Sequence, residues 1–350
     1  MLSMILRSLQ TLNYRNLEAA KLEFPSGVTV IVGGNAQGKT NVLEAAFLCL
    51  TGVLEVSKVE TVIRLGEREA FVGAELMRQD GMSKLEVGLG KGKKLAKVDG
   101  VRVKTADLAR HASAVLIRPE DADLVHGSPS MRRGFLDALV SRMSPRYAQA
   151  LVLYERTLAQ RNAALKVGGV GLEVWDARFA ELGAEIMRLR RRAVAKLKTL
   201  TEQAHSSLAG NTKKLELTLI ETARLEDFAL HLSEKRREEL ARGSSAIGPH
   251  RDDLEIKLGH VLALDYASRG EARTIALAMR KAEFDLLSEK FGEAPVLLID
   301  DFTAELDAHR RGFLLELAWS TPQAIVTGTE APDHASKRFQ IENGKLEVLG

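Results

Sequence analysis

The sequence predicts an α/β chain: a mixed sheet with an antiparallel meander, interrupted by an inserted α-helical arm. Three observations carry this. An apolar β-type run, Val28 to Val32, leads through a glycine-rich loop into an apolar helical run that continues through Leu50. A second apolar strand ending in two acids, Pro295 to Asp301, lies near the other end of the chain. Between them, residues 129 to about 209 show apolar positions spaced by threes and fours, the period of packed helices.

Taken in order, Met4 to Leu9 and Glu18 to Phe24 have the alternation of short strands. Ala70 to Lys104 reads as an antiparallel meander, with Asp80-Gly81 and Asp99-Gly100 as hairpin turns. Val115 to Ile117 is a further buried strand. Ser128-Pro129 and Ser144-Pro145 each start a helix, with serine as cap and proline in the first turn. Gly168-Gly169 ends the second of these helices. The third is the longest. Trp175, Phe179, Leu182, Ile186, Leu189, Ala193, Leu197, Leu200 and Ala204 form a seam of coiled-coil type along it. Leu215 to Ile220 and Leu254 to Leu258 are strands, Ser233 to Ala241 a short charged helix and Thr274 to Leu287 an amphipathic one. A helix over His309 to Trp319, a strand over Ala324 to Thr327 and a hairpin turn at Asn343-Gly344 complete the chain. The expected organisation is a head in two parts, 1–128 and 210–350, with the arm over 129–209 inserted between them.

The loop Gly33-Gly34-Asn35-Ala36-Gln37-Gly38-Lys39-Thr40 fits G-x-x-x-x-G-K-[ST] in a strand–loop–helix setting. Glycines let successive backbone N–H groups point at phosphate oxygens, and the helix behind adds a partial positive charge. Lys39 is expected to reach the β- and γ-phosphates of a nucleotide, and the Thr40 hydroxyl to sit on Mg²⁺. Val296-Leu297-Leu298-Ile299-Asp300-Asp301 supplies the acidic partner. Asp300 is the candidate Mg²⁺ aspartate, and Asp301 is placed to orient or deprotonate the attacking water. Aspartate is one methylene shorter than the glutamate of transporter-type ATPases, so slow turnover is expected. No Asn-Lys-x-Asp motif for reading guanine is present. Ser268-Arg269-Gly270-Glu271 stands just before a helix and shortly before Asp300. This order resembles the signature motif of ABC-type ATPases, in which a serine hydroxyl and a glycine N–H meet the γ-phosphate of a nucleotide held by another subunit. On that basis Ser268 and Gly270 are cofactor-binding candidates, and Glu305-Leu306-Asp307 stands at the D-loop position.

Composition narrows the class. Apolar residues make up 45% of the 350, which suits globular domains with a sizeable core. The net charge of +3 is too mild to diagnose nucleic acid, so any such case rests on local clusters. Lys91, Lys93, Lys94, Lys97, Arg102 and Lys104 form a basic ribbon in the meander, either a solvated edge that blunts aggregation or a phosphate-contact surface. Arg188, Arg190, Arg191 and Arg192 fall within five positions of the long helix, with Lys196 and Lys198 following. Lys91, Lys93, Lys94 and those four arginines are the DNA-binding candidates. Cys49 is the only cysteine, which excludes a disulfide framework and a cysteine metal site. Met1 to Gln10 lacks the apolar stretch of a secretion leader and no apolar run approaches the ~20 residues of a membrane span, so a cytoplasmic location is expected and a membrane-embedded transporter is not.

A family resemblance rests on these motifs. Leu12-Asn13-Tyr14-Arg15-Asn16-Leu17, the loop Gly33 to Thr40 with Asn41 and Glu44, Pro119-Glu120-Asp121, Gly127-Ser128-Pro129 with Arg132-Arg133, Gln160-Arg161-Asn162, Gly248 to Asp253, Ser268-Arg269-Gly270 and Asp300-Asp301 through Asp307 together resemble the RecF family of DNA replication and repair proteins. The match runs in order along essentially the whole chain. It implies a head like that of ABC and SMC-type ATPases with a short arm, ATP and Mg²⁺ as cofactors, and ATP-dependent DNA binding by a homodimer that hydrolysis dissolves. It also implies work with RecR and RecO, help in loading RecA on gapped DNA, replication restart and SOS induction. An SMC-like scaffold ATPase whose arm binds protein partners is the alternative. Two departures stand out. Glu271 replaces the family's usual Gln, and Val326-Thr327-Gly328-Thr329 lacks the switch histidine of transporter-type ATPases, leaving Thr327 and Thr329 as candidates for a γ-phosphate contact. His250, in Gly-Pro-His-Arg-Asp-Asp, either senses nucleotide or packs its turn.

Overall fold

The computed structural model describes residues 3–349 except 55, 57, 210–212, 303–307 and 333. The chain begins with strands β1 (Ile5–Tyr14), β2 (Leu17–Glu23) and β3 (Gly27–Val32), followed by helix α1 (Lys39–Thr51). Strands β4 (Glu69–Arg78), β5 (Gly81–Gly90), β6 (Lys93–Val98), β7 (Val101–Val103) and β8 (Ala114–Ile117) come next. Helices α2 (Asp123–His126), α3 (Pro129–Met143), α4 (Pro145–Lys166) and α5 (Leu172–Ala209) precede β9 (Leu215–Ile220), α6 (Phe228–Arg242), β10 (Asp253–Leu258) and β11 (Val261–Leu262). The chain continues with α7 (Ala263–Tyr266), α8 (Arg269–Phe291), β12 (Val296–Ile299), α9 (Ala308–Ser320), β13 (Gln323–Gly328), β14 (Lys337–Glu342) and β15 (Lys345–Leu349). It divides into two compact units, residues 1–121 with 283–350, and residues 122–282. The second unit therefore takes in, besides the three long helices, the strands β9 to β11 and most of α8.

The first unit holds two six-stranded sheets. One has the order β15-β14-β3-β13-β12-β8, parallel except for the edge pair β14–β15. The other, β2-β1-β4-β5-β6-β7, is antiparallel throughout. Its turn at Asp99-Gly100 is the one expected from the sequence, with Asp99 at φ +50° and Gly100 at +81°, whereas the first hairpin turns one residue earlier than the expected Asp80-Gly81: Gln79-Asp80 form the loop and Gly81, at φ +124°, already pairs with Arg78 as the first residue of β5. Helix α1 buries Val42, Leu43 and the run Ala45 to Thr51, leaving Thr40 exposed and Asn41 and Glu44 half-buried, and its buried side chains join residues of both sheets in one core. The two sheets are also tied by Gln323. Its Oε1 accepts from Leu6 N at 2.7 Å, and its Nε2 donates to Leu6 O and Pro25 O, each at 2.9 Å. The first strand is longer than the sequence suggests, because Arg15 at φ +55° turns it straight into β2 without the usual Asn-Gly or Asp-Gly pair.

In the second unit, α4 and the 38-residue α5 fold back on each other across residues 167–171 and pack with α3, α6 and the small sheet β11-β10-β9. Ser144 caps α4 by accepting from Tyr147 N at 3.2 Å, and Gly169 N closes its end on Ala164 O at 2.8 Å. The core here is partly ionic. Arg161 is fully buried and donates to Asp176 Oδ1 (2.7 Å), Ser245 Oγ (2.7 Å) and Glu239 Oε2 (2.6 Å), and its guanidinium lies over the Phe179 ring. The other Glu239 oxygen accepts from Ala246 N at 2.8 Å. Removing one member strands charges that have no water to turn to. Arg161→Ala should therefore cost about 3–5 kcal/mol in urea denaturation, with Glu239→Gln costing less because the amide brings no net charge.

Candidate active site

The P-loop leaves the C-terminal end of β3 inside the parallel sheet of the first unit. Two of its glycines are demanded by close approach: a Cβ on Gly33 would lie 2.5 Å from Ile341 O, and one on Gly38, at φ +114°, 2.5 Å from Asn16 Oδ1. Two outside turns hold the loop in place. Asn16, in the β1–β2 turn, donates from Nδ2 to Gln37 O at 2.9 Å, and its Oδ1 accepts from Asn41 Nδ2 at 2.7 Å. From the β14–β15 turn, Gly344 N donates to Gln37 O (2.9 Å) and Asn343 N to Gln37 Oε1 (2.6 Å). Lys39 is buried, and its Nζ donates to Gly33 O at 2.6 Å and Gly34 O at 2.8 Å.

Strand order supplies the acidic side. β13 lies between β3 and β12, so the loop after β3 faces the end of β12 across one strand, in the crevice where open α/β sheets bind ligands. The Thr40 hydroxyl donates to Asp300 Oδ2 at 2.7 Å. The other Asp300 oxygen accepts from Thr327 Oγ1 at 2.6 Å, and Thr327 Oγ1 accepts in turn from Asp301 N at 2.9 Å. Asp301 is left-handed, at φ +46°. The expected γ-phosphate role of Thr327 is thus corrected: its side chain is fully buried and its hydroxyl is spent on the two aspartates, whereas Thr329 is exposed. Asn16 and the aspartate-facing role of Thr327 escape sequence reasoning. Asn16 does fall in the hexapeptide Leu12 to Leu17 that carries part of the resemblance. The D-loop stretch Glu305-Leu306-Asp307 lies outside the described residues.

In the second unit Ser268 and Glu271 close a reciprocal cap at the start of α8. Ser268 N and Oγ each donate to Glu271 Oε2 at 2.9 Å, and Glu271 N donates to Ser268 Oγ at 3.2 Å. Lys213 Nζ stands 2.7 Å from Glu271 Oε1. Lys213 and the Ser268 amide hold the Glu271 carboxyl at about 2, so the substituted residue carries a full charge that a lysine balances. Gly270 is half-buried in the first turn of the helix. His250 packs its turn: Nδ1 is 2.8 Å from Tyr154 Oη and Nε2 is 3.3 Å from Ser245 O, and burial pushes the imidazole down to about 4.

The basic candidates separate. Lys91, Lys93 and Lys94 are exposed around the β5–β6 turn, and Lys97 pairs in register with Arg102 on β7. Arg190 does not belong to a surface cluster. It is 2% exposed and donates to Asp137 Oδ1 (2.7 Å), the Tyr147 hydroxyl (2.8 Å) and Pro249 O (2.6 Å). It lies four residues after Ile186 and seven before Leu197, on the apolar seam itself, a placement the 3.6 period makes visible. Arg191 is held by Glu221, at 2.9 Å, and Glu226, at 3.0 Å; Arg188 pairs with Glu185, and Arg192 is exposed.

A P-loop opposed to an aspartate-ended strand, on a parallel sheet that shares its core with an antiparallel one, puts this chain among the ATPase heads of the ABC and SMC type. Residues 5–337 match the RecF/RecN/SMC N-terminal domain family. The DNA replication and repair protein RecF of Deinococcus deserti is 56% identical over 344 residues, covering 98% of this chain and 95% of that protein. The one from Deinococcus radiodurans is 55% identical, covering 97% and 95%. A solved structure of the recombination mediator protein RecF with ATP, of the RecFOR pathway, superposes with a TM-score of 0.93 at 33% identity, covering 99% of this chain and 98% of the other. An Smc head domain bound to the C-terminal domain of ScpA, derived from Pyrococcus furiosus, shares the fold at 17% identity and a TM-score of 0.56. The chain belongs to the RecF family of DNA replication and repair proteins. The burial of Arg190 has a direct consequence: Arg190→Ala should lower stability by about 3–5 kcal/mol in chemical denaturation, whereas Arg192→Ser should stay within about 0.5 kcal/mol of the parent.

Proposed function

We propose that this chain is an ATP-dependent DNA-binding protein of recombinational repair and replication restart, acting as an ATP-driven dimer with slow hydrolysis. The observation that carries this is the Thr40–Asp300 contact of 2.7 Å, which brings a P-loop hydroxyl and a strand-end carboxylate to one point of the crevice. When ATP enters, Lys39 exchanges its two loop carbonyls for the β- and γ-phosphates, and the loop N–H groups of residues 33–40 take the remaining phosphate oxygens. Thr40 and Asp300 are hard oxygen donors of the kind Mg²⁺ takes. Bound Mg²⁺ neutralises charge on those phosphates. Asp301 orients and deprotonates the attacking water.

Ser268 and Gly270 meet the γ-phosphate from a second copy. Only the triphosphate gives both copies something to grip, so hydrolysis removes the differential binding that favours the dimer. The exposed lysines of the meander and Arg188 and Arg192 of the arm contact the DNA backbone. RecR and RecO are the protein partners, the task is to help load RecA on gapped DNA, and SOS induction follows from it. The level of identity to proteins named for DNA replication and repair supports this assignment, as does the RecFOR-pathway structure.

A specific feature favours the second reading, in which the arm binds protein. Val167, Val170 and Val174, at and beside the α4–α5 turn, are 73%, 84% and 71% exposed, more than the exposed Met131 and Val152 elsewhere on the arm. Replacing all three with Ser should leave DNA binding intact and weaken a protein partner if the arm serves that partner.

Two experiments test the main reading. Ser268→Arg should bind ATP as a monomer and fail to dimerise; ATP-dependent dimers of that variant in light scattering would remove the two-copy model. DNA binding titrated against salt, with and without ATP, on gapped, duplex and single-stranded substrates counts phosphate contacts. Changing Lys91, Lys93 and Lys94 to Ser should flatten the log–log slope by about one unit per lysine on duplex DNA, and an unchanged slope would take the ribbon out of the interface.

A further inference from the structure

Thr327 sits near the C-terminal end of β13, between the two strands that carry the nucleotide site, with none of its surface exposed. A threonine hydroxyl has one proton and two lone pairs. The proton goes to Asp300 Oδ1 at 2.6 Å, and a lone pair receives Asp301 N–H at 2.9 Å. The main-chain carbonyl of the same residue accepts from Phe302 N at 3.0 Å. Asp301 and the residue after it are thus anchored through their backbone N–H groups to Thr327.

The anchor falls where the backbone needs one. Asp301 stands at φ +46°, a left-handed conformation that is unfavourable for a non-glycine residue and persists only when neighbours impose it. A β-branched residue is at home in a strand, and valine has nearly the shape of threonine, so the hydroxyl rather than the bulk is what this position adds. Without it, Asp300 Oδ1 loses a donor and Asp301 N loses its acceptor in the same buried spot. The hydroxyl also keeps Asp300 turned, one oxygen toward β13 and the other toward Thr40.

We propose that Thr327 is a positioning residue for ATP hydrolysis: its hydroxyl fixes the backbone of Asp301, and through it the carboxylate that handles the attacking water, while orienting Asp300 toward Thr40. This rests on the ATPase reading of the site. It also gives a physical role to the strand that, in this chain, ends in Thr-Gly-Thr where transporter-type ATPases place a histidine.

The test compares Thr327→Val and Thr327→Ser in the full-length chain. Fluorescent ATP titration measures binding, and single-turnover release of phosphate measures the chemical step. Thr327→Val should bind ATP with Mg²⁺ within about threefold of the parent yet release phosphate about 10²-fold more slowly, the scale of a misplaced general base. Thr327→Ser, which restores the hydroxyl, should recover most of that rate. In an Asp301→Asn background Thr327→Val should add less loss than it causes in the parent, because the larger of its two routes, through Asp301, is already gone. The proposal falls if the valine variant hydrolyses at the parental rate, if it loses binding in proportion, if serine does no better than valine, or if the two losses multiply. Amide hydrogen exchange at Asp301 and Phe302 gives a readout independent of turnover: faster exchange in the valine variant is expected, and unchanged exchange overturns the anchoring. A parent chain that binds ATP but releases no phosphate defeats the ATPase reading, and the exchange result then decides the anchoring by itself.

Discussion

The hydrogen bond from Thr40 to Asp300 joins residues 260 apart in sequence, and the geometry of the site depends on it. It forms because β13 inserts between β3 and β12, bringing a loop and a strand end from opposite termini to the same end of one parallel sheet. That sheet is in turn fixed by what covers it. The buried side of helix α1 packs against both sheets at once. Gln323, the first residue of β13, reaches Leu6 of the antiparallel sheet through two hydrogen bonds and Pro25 O through a third. A nucleotide loop on such a support has little freedom to drift, which is what preorganised phosphate binding asks for.

The loop itself is braced from outside. Asn16 and the Asn343-Gly344 turn both hold Gln37, one from each neighbouring hairpin. These contacts allow Gly38 to keep a backbone conformation that a side chain would contest. The two hairpins therefore brace the loop through Gln37 from either side.

The second unit follows a different rule. Its core admits arginines, and each is satisfied from several elements at once. Arg161 joins α4, α5, α6 and the segment at Ser245; Arg190 joins α5 to α3, α4 and the Pro249 turn. Desolvating a guanidinium is costly, and geometry of this completeness offsets the cost. The same unit carries the Ser268–Glu271 cap, where a carboxylate balanced by Lys213 stands in the place of a neutral amide. The lysine and the capped amide together keep that carboxylate ionised at the start of α8.

The local elements and the loop motif are legible from residue order alone. The glycine–lysine–threonine spacing, the apolar strand ending in Asp300 and Asp301, the Asp-Gly hairpins and the serine–proline helix starts all act over a few residues, so periodicity and turn chemistry suffice to find them. The family resemblance added the signature position. Which of these meet depends on how the chain packs. Nothing local says that β13 separates β3 from β12, that Asn16 reaches Gln37, or that the Thr327 hydroxyl is spent on two aspartates rather than on phosphate, because each contact is made by residues remote in sequence. Arg190 shows the same limit from the other side. Four neighbouring arginines suggest a charged surface, but the pitch of the helix turns one of them inward, where Asp137 and Tyr147 wait for it. The helical period puts Arg190 on the seam, but what that seam packs against, and so which groups meet the buried charge, belongs to the packed chain.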